Sequence, residues 1–136
     1  MAAVCVLAWL GALSYFDVRD RRLPNWLTIP GAVLILAVAT AAGRGLPALV
    51  GSTVLFGVYL TVHIVSPTAM GAGDVKLAIG IGGLTGAFGA DVWVLAALGA
   101  PLLTALVALV RRSESTVPHG PSMCVAAAAA VALVLT

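Results

Sequence analysis

Charge is what this chain has least of. Seven Lys/Arg and five Asp/Glu in 136 residues make 9% charged against 62% hydrophobic, where soluble domains carry about 25% charged and about 45–50% apolar residues. That shortage of polar surface excludes a soluble domain, and a mean hydropathy of +1.15 points to lipid as the solvent. The net charge of +2 is too small for a polyanion partner, which excludes nucleic acid. Cysteine is scarce as well. Cys5 and Cys124 lie in apolar stretches with no CxxC pairing, so both read as buried small hydrophobes and neither a disulfide scaffold nor a metal site is expected. No cofactor is expected either.

What is present is a series of uncharged runs, at 1–16, 23–43, 45–73, 77–90, 92–110 and 115–136. A helix needs about 20 residues to cross about 30 Å of hydrocarbon, so each run is a candidate span, with the first and fourth borrowing flanking residues. The fold expected is all-α, a polytopic membrane protein of six transmembrane helices forming one domain over 1–136. Linkers are then only a few residues long, and neighbouring helices run antiparallel. The first run has no Lys or Arg before its apolar stretch and five more segments follow it, so it reads as a retained helix and not a cleaved signal.

Lys and Arg in alternate loops set the orientation. Arg19, Arg21, Arg22, Lys76, Arg111 and Arg112 fall on one side and Arg44 alone on the other. Six against one places 17–25, 67–76 and 111–121 in the cytoplasm and both termini outside. Pro24, Pro47 and Pro121 suit first helical turns. Seven glycines between Gly71 and Gly89, with Gly82 and Gly86 as a GxxxG pair, make the fourth helix a central one that lets neighbouring backbones approach closely. The alanine run at 126–130 reads as a packing face.

With so few ionisable groups, each acid near the membrane needs a reason. Asp91 sits where a helix N-cap is expected. Asp20 lies among arginines as their solvated partner. Asp17 and Asp74 differ, since each ends or begins an apolar run on the same expected face. Two carboxyls in a partly desolvated site cannot both ionise cheaply, so one proton is shared and the apparent pKa values split. The ionised member can then take a proton from water while the protonated one donates to a carbonyl oxygen. Gly71 and Gly73 would remove side chains where a substrate backbone approaches.

Asp17-Val18-Arg19-Asp20-Arg21-Arg22-Leu23-Pro24-Asn25-Trp26-Leu27-Thr28 resembles the first aspartate motif of the type IV prepilin peptidases. Gly71-Ala72-Gly73-Asp74-Val75-Lys76-Leu77 resembles their GxGD motif, and Val117-Pro118-His119-Gly120-Pro121 is similar to the signature before their last helix. His119 stands where that family usually has an aromatic, at no expected catalytic position. The resemblance implies a membrane aspartic endopeptidase, with Asp17 and Asp74 catalytic, that removes the short basic leader of prepilin or pseudopilin precursors at the cytoplasmic face of the inner membrane. The short loop after the first helix leaves no room for the cysteine-rich domain of larger members, so neither methylation nor a zinc site is expected. The compact form looks like the small peptidases of Flp or tight-adherence pilus systems.

Lys76 is two positions from Asp74, on the far side of a helix, and reads as a membrane-edge anchor among lipid headgroups; with Gly71, Gly73 and Asn25 it is also a candidate for supporting the substrate or the site. Asn25 and Thr28 either bond near Asp17 or cap the second helix. His63 reads as satisfied between helices, with a proton relay or a place lining the site as the alternative. Trp9, Trp26 and Trp93 read as interface or packing residues. Two other classes fit the composition: a small proton-coupled transporter using the same acids, and a non-enzymatic pilus or secretion assembly subunit.

Overall fold

In a computed structural model, residues 2–20, 22–68, 70–111 and 119–135 are described. They form six helices: α1 (Ala2–Asp20), α2 (Asn25–Ala41), α3 (Gly45–Val65), α4 (Ala72–Ala87), α5 (Ala90–Arg111) and α6 (Gly120–Leu135). No strand occurs among the described residues. Two helices, Gly45–Val65 and Ala90–Val110, are long and apolar enough by themselves to cross a membrane. At a rise of about 1.5 Å per residue, the 16 residues of α4 reach only about 24 Å.

The burial pattern is inverted relative to a soluble bundle. Large apolar side chains lie outside, among them Val33, Leu34, Leu46, Leu102, Leu106 and Leu133, each more than half exposed. Small residues lie inside, and α4 is buried along Leu77–Ala78 and from Gly80 to Gly86. Such a surface suits hydrocarbon, where close packing of small residues holds helices together in place of the hydrophobic effect. The expected central role of the fourth helix is realised.

The helices associate as two groups of three. α4 packs chiefly on α3 and α2, while α6 packs chiefly on α5 and α1. Between the groups runs a lighter seam, mainly α4 against α5 and α6. Within the first group the GxxxG pair meets Gly51 of α3: a Cβ at Gly82 would stand 2.5 Å from the Gly51 carbonyl oxygen, and one at Gly86 would stand 2.7 Å from that of Pro47. Ser52 Oγ donates across the same contact to Ile79 O at 2.8 Å. Gly82→Ala should therefore force α3 from α4 and cost about 1–3 kcal/mol, read as a lowered unfolding midpoint in detergent. An unchanged midpoint would contradict this packing.

Two tryptophans cross the seam. Trp9 Nε1 donates to Leu27 O at 2.9 Å, and its ring occupies the space that a Cβ on Gly31 or Gly80 would need. Trp93 Nε1 donates to Gly51 O at 3.0 Å. Both are packing residues. Trp26 is 67% exposed, edge-on to Phe16 at the site end of the bundle.

Several local expectations need correction. Cys124 is buried but Cys5 is exposed, because its side of α1 faces outward from the bundle. Asp91 is not a cap. Gly89, with φ 123°, makes the turn and its carbonyl accepts Trp93 N–H at 3.1 Å, so α5 starts at Ala90 and Asp91 lies inside its first turn. Pro24 precedes α2 as its N-cap residue, its carbonyl accepting from Leu27 N–H and Thr28 N–H.

Candidate active site

One end of the bundle gathers the close of α1, the start of α2 and the start of α4 around a cavity of about 870 Å³. Asp17 and Asp74 both line it, and each lies in the other's electrostatic field. They arrive from different groups of helices, Asp17 on α1 and Asp74 in the first turn of α4. Asp17 is only 7% exposed, and Asp74 is half-buried. A buried carboxylate needs donors, and a glycine supplies one to each. Gly120 N–H donates to Asp17 Oδ2 at 2.9 Å, while Gly71 N–H bonds the Asp74 carboxylate.

The Gly120 contact follows from helix physics. The first N–H groups of a helix have no intrahelical acceptor and carry partial positive charge. Gly120 opens α6, and Asp17 takes its donor. A Cβ at Gly120 would press into the Asp17 carboxyl, 3.0 Å from Cγ and closer still to Oδ2. Residue 120 thus has to be small for the aspartate to reach the helix end.

The other expected site residues are placed as follows. Gly71 lines the cavity and is exposed, with a Cβ there 3.6 Å from Asp74 Oδ2, an ordinary contact. Gly73 also lines the cavity, but the room left by its missing side chain is taken by Leu23, which a Cβ would meet at 3.3 Å. Asn25 does not cap α2, since no side-chain cap bond forms there. Instead Asn25 Oδ1 accepts from Lys76 Nζ at 2.9 Å, tying the start of α2 to that of α4. Thr28 Oγ1 turns back to Pro24 O at 3.1 Å. Asp20, at the cavity rim, pairs loosely with Arg19 at 3.8 Å, both side chains more than half exposed.

Neither histidine lines this cavity. His63 Nδ1 bonds Met70 O at 2.5 Å, across the α3–α4 connection. His119 lies beside the Asp17 donor, with Nε2 against Tyr59 Oη at 2.8 Å and Nδ1 against Thr104 Oγ1 at 2.7 Å. Burial pushes its imidazole down to about 4, so the ring is neutral near pH 7. Val117 and Pro118 of the third motif lie outside the described residues, as do Arg21 and Arg112. Sequence reasoning missed Gly120, Tyr59, Thr104 and the pair Ser14–Cys124, which are hydrogen-bonded to each other within the field of both aspartates. For Gly120 a signal existed: a glycine directly before a helix-opening proline, inside a motif already singled out.

The model of the type IV leader peptidase family matches residues 4–136. The chain belongs to that family. As a type IV leader peptidase family member it is a peptidase, a hydrolase of a membrane-associated family, and its two resembling aspartate motifs are the ones that meet in the cavity. No curated protein and no solved structure matches this leader peptidase family member.

Proposed function

We propose that the chain is a membrane aspartic endopeptidase that cuts the short basic leader from type IV prepilin-like precursors, with Asp17 and Asp74 as its catalytic pair. The observation that carries this reading is the convergence of the two aspartates, from separate helix groups, on one cavity. Sharing one proton, the pair performs both halves of peptide hydrolysis. The ionised carboxylate takes a proton from water, whose oxygen attacks the scissile carbonyl. The protonated carboxyl gives its proton to the carbonyl oxygen. Collapse of the gem-diol then returns a proton to the leaving amine and regenerates the shared-proton state.

In the same reading the single domain over 1–136 spans the inner membrane six times, with the cavity end in the cytoplasm and both termini outside. The site then lies at the depth where a basic leader gives way to an apolar helix. The exposed backbone at Gly71 leaves the substrate chain room beside Asp74, and the Lys76–Asn25 bond holds the rim on that side.

Hydrolysis needs no ion gradient, whereas a proton-coupled transporter does nothing without one. The purified chain in detergent, mixed with a precursor carrying a basic leader, a glycine and an apolar helix, should release the leader, seen by mass spectrometry. Folded protein that leaves such precursors intact would refute the peptidase reading, and proton flux in liposomes would then point to transport.

A further inference from the structure

His119 lies where α3, α5 and the start of α6 meet, beside the Asp17 donor. Its ring is held from both edges, by Tyr59 of α3 and Thr104 of α5. Its own carbonyl accepts Met123 N–H at 3.0 Å, starting α6. The next residue is Gly120, whose N–H holds Asp17. A neutral imidazole has one donor and one acceptor nitrogen, and a hydroxyl can serve either, so both hydroxyls are satisfied together. The bond to Tyr59 also crosses the seam, joining the helix group that carries Asp74 to the one that carries Asp17. Tyr59 itself stands within the field of Asp74.

We propose that His119 is a positioning residue for the catalytic pair: pinned between Tyr59 and Thr104, it fixes where the Gly120 N–H points and so sets the Asp17 carboxylate opposite Asp74. The inference rests on the peptidase reading above. His119 touches neither substrate nor water in this role. Its effect is to hold the first turn of α6 in register with α3, so that the gap between the carboxyls is set by a side-chain bond across the seam and not by apolar packing alone. A neutral ring serves because it needs no counter-ion in an apolar setting.

The test compares His119→Phe, His119→Gln and Thr104→Val in the detergent assay with a precursor of stated sequence. Phe keeps a ring but no hydrogen bond, and should lower kcat about 10–100-fold with KM unchanged, since misplacement of a catalytic group acts on the chemical step. Gln offers one donor and one acceptor and should recover most of the loss, which a purely space-filling role would not show. Thr104→Val, the milder change, should lower kcat about threefold to tenfold, and it carries the test if the Phe variant does not fold. Combining it with His119→Phe should add little, because the two act through one network. Wild-type kcat in folded His119→Phe or Thr104→Val, a rise in KM alone, or a Gln variant no better than Phe would overturn the positioning role while the peptidase reading stood. Absence of cleavage by the wild-type chain would instead remove the reading beneath it.

Discussion

Asp74→Asn and Asp17→Asn are each expected to stop leader cleavage, by at least about 10²–10⁴-fold, the range over which a positioned acid or base acts. Asparagine keeps the shape of aspartate and its amide oxygen can still accept from the Gly120 or Gly71 N–H that holds each carboxylate. Loss of activity would therefore report the missing proton chemistry and not a displaced helix. Stability should move the other way or not at all. Each aspartate lies in the field of the other, so replacing one removes the cost of holding two acids, one of them kept protonated, in a partly buried site. Folded variants with unfolding midpoints at or above wild type, and no product, would be the expected pair of results. If either variant cleaves the precursor at the wild-type rate, the pair is not the catalytic machinery.

Gly120→Ala is expected to be nearly as damaging to the chemistry, although it changes no ionisable group. On helix propensity alone alanine is the better residue by about 1 kcal/mol. Here the added methyl would lie 3.0 Å from the Asp17 Cγ and nearer its Oδ2, so either the carboxylate turns away or α6 withdraws. A shift of about 1 Å in a catalytic group costs about 10²-fold in rate, and that is the loss expected in kcat, with helical content unchanged by circular dichroism. Gly57→Ala is the control, since a Cβ there meets nothing within 4 Å. Equal loss in both variants would mean that the effect is a general response to added bulk.

The helices themselves were legible because their charged residues fall at or near their ends. The run 23–43 became Asn25–Ala41, and 115–136 became Gly120–Leu135. The run 45–73 was too long for one helix, and it stops at Val65, just before Ser66-Pro67. The central place of α4 was legible too, since only a surrounded helix uses that many glycines. The partners of each helix were not, because apolar faces that differ little in composition carry no address. Nothing in α1 marks it as a neighbour of α6, so although the motif around Gly120 singles that residue out, its bond to Asp17 has no signal in α1. Polar residues inside apolar runs posed the same difficulty, as Tyr59 and Thr104 show: a lone hydroxyl has no period to reveal its face. Of the two readings of Asn25, capping fails for a local reason, while its place on the cavity wall with Asp17 agrees with the other. The backbone of Pro24 took the capping position, which left the asparagine amide for Lys76.

The bond between Asp17 and Gly120 joins positions 103 apart in the chain, and that separation has a meaning in time. A ribosome makes α1 before α6, so a nascent chain carries Asp17 long before the amide that orients it exists. On the peptidase reading, the Asp17 carboxylate is oriented only once α6 has docked against α1. On that reading, a chain that stops before Gly120 carries both aspartates but lacks the amide that holds Asp17.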